Sequence, residues 1–418
     1  MRMKRTHLHH PTHMKLTLVT LPISLLTWLG AVTNIAAPGQ TSPQRTAQES
    51  VQQLVQTQMS DMVHGRLGHL STLYQSTPLA QQALQAAEVR SRYLTNWAAL
   101  RRIRWTGVSV MVRTPVIRYV TPQRIYVRAI EREAYHYHYI NQPHIPLSFG
   151  IASRHHLTIV YEYRQWRFAA DDFVNPVSPG NMAGQAVPNR YGGTPNPHQL
   201  SPNRKLALEY ANVYCGNAPG CGNDGLYNPQ YPDYNDNGGD CTNWISQVLL
   251  AGGFPMTRVW YFDQATHEGS AAWANAGSLA QFLRSSGRAT EFAGGTYADI
   301  TRPADRWPDG AIESLRPGDL ISYEQYGRIQ HTAVVIGYDL HGVPLTNTHS
   351  NDRYHVPWDF GWNTHTRFYL WHVHYPPTQL TRTSAPNAQW PVWERGTRHD
   401  HNLPRRPTKP DSRAPRRQ

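Results

Sequence analysis

The stretch GGDCTNWISQVLLAGGFPM, residues 238–256, decides how the second half of this chain is expected to fold. Its opening glycines predict a tight turn. Asp240 is a residue type preferred at helix N-caps, so Cys241 is expected at the first helical position. The glycine pair at 252–253 predicts the helix end. Apolar residues recur at helical spacing and predict one buried stripe: Trp244, Ile245, Val248 and Leu249.

Cys241 is the candidate nucleophile of this stretch. A thiol at a helix N-terminus lies at the positive end of the helix dipole, and such settings lower a thiol pKa from about 8.5 to roughly 3.5–7.5. Cys215 and Cys221 flank a turn-rich segment and are expected to form a disulfide, which leaves Cys241 as the free thiol. The alternatives for Cys241 are a small buried core residue or a disulfide partner of one of the other two cysteines.

The net charge of +12 is carried mostly by the two ends of the chain. Residues 1–37 carry +4 and residues 376–418 carry +6, which leaves +2 for residues 38–375. A basic groove for nucleic acid is therefore not expected in the folded part, although the basic tail could contact an anionic cell surface.

The N-terminal segment, residues 1–37, has the pattern of an export signal. A basic, histidine-rich start precedes a long apolar run that ends at small residues suited to cleavage. The run is also long enough for an uncleaved membrane anchor, so both interpretations stay open. Either one predicts a secreted or extracytoplasmic, envelope-associated protein.

The remaining chain divides into two predicted domains. Residues 38–174 combine two helical patterns with four alternating segments, the last two joined by a short turn at 164–165, which predicts a small α+β domain. Its ending, YEYRQWRFAADDFVNP, resembles the last strands of NTF2-like or cystatin-like domains. Residues 175–198 are a Pro/Gly/Asn-rich linker. Residues 199–375 form the second domain, whose first helix is predicted to be capped by Asn203, and residues 376–418 are expected to be disordered.

His331 is the candidate general base. It opens the apolar strand HTAVVIGYD, where the sheet would orient the imidazole beside a cleft. A thiol and an imidazole so placed form the cysteine–histidine arrangement of nucleophilic acyl transfer. The third, orienting residue is expected on the next strand. His349 and Asn347 share one face there and are both candidates, His349 being preferred, and Asp352 is a further one.

No metal or cofactor is expected from the motifs. Residues 233–238 match the opening of an EF-hand loop, but Trp244 stands at its twelfth position, where a bidentate glutamate is required. Spacings typical of a zinc site, a phosphate loop or a serine elbow are absent from the sequence.

Several motifs together resemble the bacterial "putative amidase domain" family, which is related to NlpC-type and CHAP cysteine hydrolases of the papain-like superfamily. They are NPQYPDYNDNGGDCTNWISQVLLAGGFPM, RPGDLI, HTAVVIGYD and THSNDR, in the family's order, within residues 199–375. The resemblance implies a papain-like domain, with the cysteine helix packed on an antiparallel sheet. It also implies Cys241 as nucleophile, His331 as base, and His349 or Asn347 as the third residue.

These features predict an exported cysteine amidase that hydrolyses cell-wall peptides or a related envelope amide. The Cys241 N–H would bind the oxyanion, with a side-chain donor at Tyr234 or Asn237, and Asp240 and Trp244 complete the predicted site. One alternative is a non-catalytic envelope-binding module whose tryptophans stack on glycan: Trp260, Trp273, Trp307, Trp358 and Trp362. Another is acyl transfer to an amine, as in transglutaminase-like proteins.

Overall fold

The structure is a computed structural model that describes residues 43–177, 200–223 and 225–377. The predicted signal, most of the predicted linker and nearly all of the predicted tail lie outside these residues. Within the described ranges, no helix has the length and apolar character needed to cross a membrane.

Eight α-helices and twelve strands are found in the described residues. The helices are α1 Pro43–Val63, α2 Leu67–Thr72, α3 Pro78–Arg101, α4 Pro202–Val213, α5 Cys241–Ala251, α6 Ala271–Ala274, α7 Ala276–Ser286 and α8 Tyr297–Thr301. The strands are β1 Ile103–Thr121, β2 Arg124–Tyr139, β3 Leu147–Glu162, β4 Gln165–Phe173, β5 Phe262–Asp263, β6 Glu268–Gly269, β7 Ala289–Gly295, β8 Leu320–Gln325, β9 Arg328–Tyr338, β10 Pro344–Thr348, β11 Asp352–Pro357 and β12 Arg367–Val373.

Ten of the strands form one antiparallel sheet, so the predicted α+β class is confirmed. Its strand order is β1-β2-β3-β11-β10-β9-β8-β12-β7, with β4 also paired to β3. β5 and β6 form a separate two-stranded sheet.

Local signals in the N-terminal half produce the predicted elements. α3 begins where the Thr77 side chain accepts a hydrogen bond from Ala80 N–H, with Pro78 at the first helical position, and it ends at Arg102 in the left-handed conformation. The predicted β3–β4 hairpin is present, but its turn lies one residue earlier than expected. Tyr163 and Arg164 both have positive φ, as the type I′ two-residue hairpin turn requires.

The C-terminal half places α5 on one face of the sheet. The predicted stripe of α5 is buried against strand residues that include Val334 and Leu320. Residues that alternate with these, such as Ala333 and Val335, face the opposite side and pack with Trp358. Each strand there is covered on both faces, which explains its nearly continuous apolar sequence.

The sheet runs without interruption from one predicted domain into the other, which the sequence did not indicate. β3 pairs with β11 over three positions, Asp352 opposite Ala152 and Tyr354 opposite Gly150 at the ends. Phe360, from the C-terminal half, belongs to the same buried cluster as the core of the N-terminal half. The β11 strand was not predicted, because its buried Asp352 and Arg353 give it the composition of a loop.

Two smaller predictions have opposite outcomes. α4 is capped by Ser201, whose Oγ accepts from Arg204 N–H, and not by Asn203, because Pro202 occupies the first helical position. The predicted Cys215–Cys221 disulfide is present, and Cys241 is a free thiol.

Candidate active site

Cys241 is the first residue of α5, as predicted. Asp240 occupies the N-cap position, and Gly238 and Gly239 before it have φ of 98° and 113°, values that favour glycine. The helix ends as expected, with Gly253 in the left-handed region. Cys241 is only 6% exposed, so the helix start is less open than the sequence suggested.

The Cys241 thiol contacts two oxygen atoms. Its Sγ lies 3.6 Å from Thr242 Oγ1 and 4.0 Å from the carbonyl oxygen of Gln330, the residue before His331. Burial raises the pKa of this thiol above its ordinary value, against opposing hydrogen bonds from Thr242 and the Thr332 backbone. Burial therefore opposes the thiolate that the position at the helix N-terminus predicts.

Ser350 binds the backbone at the start of α5. Its Oγ accepts hydrogen bonds from Asp240 N–H at 2.7 Å and from Cys241 N–H at 3.2 Å. Ser350 itself has φ of 87°, so the chain is held in an uncommon conformation to make these contacts. The Cys241 N–H, expected to bind an oxyanion, is thus already engaged. Nothing in the sequence near the THSND motif distinguished Ser350 as its partner.

His331 lies on β9 and is half-buried. Its ring is 5.7 Å from the ring of Tyr323 and 5.5 Å from that of Trp362. Burial, with a smaller contribution from the charge of Arg353, lowers the pKa of His331 to about 3. The imidazole is therefore neutral above that pH.

Cys241 and His331 line the same cavity, whose volume is about 530 Å³. Ser350 and Gln330 also line it, together with the turn before α5. The opposite wall comes from β2, β3 and β4 of the N-terminal half. The cavity is thus built by both predicted domains, and it is large enough for part of a peptide or a small molecule.

His349 pairs with Asp240 and not with His331. Its Nδ1 is 2.6 Å from Asp240 Oδ2, its Nε2 is 2.7 Å from the carbonyl oxygen of Tyr214, and its ring stacks on Trp244. Burial alone would lower the pKa of His349, but these two acceptors raise it, so the ring donates from both nitrogens. The geometry gives His349 and Asp240 a positioning role at the turn before Cys241.

Asn347 likewise makes its side-chain hydrogen bonds to residues other than His331. Its Nδ2 donates to the carbonyl oxygen of Ala211 at 2.9 Å and to Asn212 Oδ1 at 3.1 Å, and its Oδ1 accepts from His355 N–H. Asp352, the further candidate, accepts from Asn217 N–H and from the Tyr227 hydroxyl. Among the described residues, none hydrogen-bonds the His331 ring, which is positioned by aromatic packing.

The remaining predicted site residues lie apart from the thiol. Trp244 is fully buried in the core, and Tyr234 uses its hydroxyl to accept from Gly269 N–H. Asn237 is exposed on the loop before α5. Of the described residues, those that line the cavity include neither Tyr234 nor Asn237.

The loop that resembles an EF-hand is held by side-chain hydrogen bonds. Asp233 accepts from Arg154 and from Asn235. No group of three or more His, Cys, Asp or Glu side chains suited to a metal ion occurs in the described part of the chain.

The pKa shifts predict how the thiol reacts with iodoacetamide. Because burial raises the pKa of Cys241 and His331 is neutral above about pH 3, the alkylation rate of the free protein should keep rising with pH in the alkaline range, with no plateau at neutral pH. The measurement is the rate of mass increase of the intact protein as a function of pH. Cys215 and Cys221 are in a disulfide, so Cys241→Ser should abolish labelling and serves as the control. A reactive plateau at pH 5–7 would instead indicate a thiolate–imidazolium pair.

Residues 201–371 match the sequence model of the family described as "Putative amidase domain". This match points to an amidase-like hydrolase. A curated relative, "Uncharacterized protein YhbB" of Bacillus subtilis (strain 168), is 33% identical over 141 residues. The matched region spans 32% of this chain and 39% of that protein, so well under half of the relative's length is covered.

Solved structures resemble about a third of the chain. A "Putative Scytalone Dehydratase" from Novosphingobium aromaticivorans DSM 12444 is 11% identical with a TM-score of 0.22, over 31% of this chain and 85% of the other. Kfla4162 protein from Kribbella flavida is also 11% identical with a TM-score of 0.22, over 31% of this chain and 91% of the other.

Proposed function

We propose that this protein is an exported cysteine amidase that hydrolyses amide bonds in cell-wall peptides. The observation that carries the proposal is the shared cavity of Cys241 and His331, at the start of a helix and on a strand of an antiparallel sheet. The match of residues 201–371 to the amidase-domain family supports the reaction class. A helix-borne cysteine packed on such a sheet also agrees with a relationship to NlpC-type and CHAP hydrolases. The apolar segment within residues 1–37 supports export.

In the proposed reaction, His331 accepts the thiol proton of Cys241 while the sulfur attacks the amide carbonyl carbon. The tetrahedral intermediate collapses to a thioester as the C–N bond breaks, and His331 returns its proton to the leaving amine. Water then hydrolyses the thioester, with His331 accepting one proton and returning it to the Cys241 sulfur. The free acid is released, and the thiol is restored.

Ser350 is the side-chain donor that best suits the oxyanion. Its Oγ accepts two backbone N–H bonds, and its own hydroxyl hydrogen has no acceptor among the described residues. Ser350 also lines the cavity beside Cys241. Two N–H donors polarise the hydroxyl, which strengthens the hydrogen bond it can donate to a developing negative charge.

The burial of three tryptophans weakens the alternative of a glycan-binding module. Trp260, Trp273 and Trp358 are fully buried in the core, so they have no surface on which a sugar could stack. Trp307 and Trp362 are half-buried.

The test compares the full chain with its Cys241→Ser variant on purified peptidoglycan, with mass spectrometry of the released fragments. We expect fragments from the wild type alone, because serine lacks the nucleophilicity of a thiol in this setting. Their masses would identify the amide bond. Equal release from both proteins would remove Cys241 from the mechanism. Retention of both proteins on the wall material without release would favour a binding module.

A further inference from the structure

A second, basic groove lies on the outer face of the N-terminal half. It has a volume of about 510 Å³ and is lined by Arg118, Arg124 and Arg128, with Tyr126 between the last two. All three arginines are exposed. Neither the catalytic proposal nor the family match accounts for this groove.

The pleat of β2 places these arginines on one face. Ile125 and Val127 point into the core and are fully buried, so Arg124, Tyr126 and Arg128 point outward. Arg118 of β1 lies directly opposite Tyr126 in the antiparallel register and therefore shares this face.

The three arginines have no acidic partner among the described residues. Within the described ranges, no carboxylate lies within ion-pair distance of Arg118, Arg124 or Arg128, whereas nearby Arg154 pairs with Asp233 at 2.9 Å. Like charges placed together without partners repel each other. The groove is therefore suited to a ligand that brings negative charge.

Arg128 connects the groove to the site of Cys241, because it lines both cavities. Across the sheet, Arg128 of β2 lies opposite His156 of β3, which in turn lies opposite Asp172 of β4. The positive charge of these three cross-strand neighbours is therefore at the β2 end, next to the groove. The two cavities therefore adjoin each other at Arg128.

We propose that this groove, which we call the arginine groove, binds the acidic side chains of an extended peptide and presents its amide bonds to Cys241. This inference rests on the proposed amide hydrolysis for the choice of a peptide. Arg124 and Arg128 are four residues apart on a strand, about 13 Å, a spacing that carboxylates along an extended peptide can match. The arginine guanidinium binds carboxylates in bidentate geometry, through two parallel N–H···O hydrogen bonds. A peptide is favoured over nucleic acid because residues 38–375 carry a net charge of only +2.

The test measures binding without turnover, so it does not depend on the hydrolysis experiment. The full chain carrying Cys241→Ser is titrated into a fluorescent peptide with glutamate at every second position, and into the same peptide with glutamine, by fluorescence polarisation at low and physiological salt. We expect the glutamate peptide to bind at least about tenfold more tightly, and the difference to shrink as salt rises.

Matched variants assign the binding to the groove. Replacing Arg118, Arg124 and Arg128 together by glutamine should weaken glutamate-peptide binding by about tenfold or more. Arg104→Gln, an exposed arginine at the other end of β1, should leave binding unchanged. Equal binding of the two peptides, or full binding by the triple variant, would overturn the proposal. Tighter binding of single-stranded DNA than of the glutamate peptide would overturn it in favour of a nucleic-acid site.

Discussion

Replacing Asp240 by asparagine is expected to lower the free energy of unfolding by about 3–5 kcal/mol, the cost of breaking a buried pair by removing one charge. Asp240 Oδ2 lies 2.6 Å from His349 Nδ1, and its Oδ1 accepts from Tyr234 N–H and Asn243 Nδ2. Asparagine cannot accept from all three donors, so a buried polar group is left without a partner.

The unfolding free energy lost in Asp240→Asn should become smaller as the pH rises. The pKa of His349 is raised above 6.5 in the folded protein, so the stabilisation by Asp240 is fully present below about pH 6.5 and declines as the pH rises through the folded pKa. Asp240→Asn should therefore cost most near pH 6 and less at higher pH. Urea unfolding of wild type and variant at a series of pH values measures this.

A control from the same loop separates the buried pair from general effects of charge. Asp236 is exposed, and Asp236→Asn should change the unfolding free energy by no more than about 0.5 kcal/mol. In a double-mutant cycle with His349→Gln, the second substitution should cost little once the first is present. Fully additive losses would show that Asp240 and His349 do not act as a pair.

His331→Asn is expected to reduce amide hydrolysis by about 10²–10⁴-fold, the usual contribution of a general acid–base residue. Asparagine approximates the shape of the ring next to Tyr323 and Trp362 but cannot carry the proton from Cys241 to the leaving amine. The rate of fragment release from peptidoglycan measures the effect, and far-UV circular dichroism confirms the fold.

Two comparisons make the His331 result specific. His365 is exposed and lies outside both described cavities, so His365→Asn should retain wild-type activity. Because the pKa of His331 is about 3, its removal should leave the pH dependence of Cys241 alkylation unchanged above about pH 4 in the absence of substrate. Retention of nearly full hydrolysis by His331→Asn would assign the proton transfer to another group.

Elements with strong local signals were predictable from the sequence. α5 begins at Cys241 after the glycine turn, as predicted, although the Asp240 side chain makes no capping hydrogen bond, and the buried stripe follows from helical spacing. The strand bearing His331 is a run of apolar, β-branched residues. Such signals act between neighbours in sequence, so they survive without knowledge of the rest of the fold.

The third residue of the proposed site could not be predicted from the sequence. His349 follows β10, at the place where an orienting residue is expected, but both of its ring nitrogens bind other groups, Asp240 and the carbonyl oxygen of Tyr214. Spacing along a strand gives the face on which a side chain lies and not the partner that it binds. A buried imidazole binds whichever acceptors the packing places within reach.

The sequence by itself determined that a cysteine begins a helix and that a histidine lies on a buried strand, and it offered the Cys215–Cys221 disulfide as one of the possible cysteine pairings. Only the tertiary structure decided that β3 pairs with β11, that the N-terminal half supplies one wall of the cavity, and that Asp240 binds a histidine 109 positions away. The physical reason is that backbone preference and periodicity are local, whereas burial and hydrogen-bond satisfaction depend on contacts between distant segments. Burial by those same contacts raises the pKa of the Cys241 thiol.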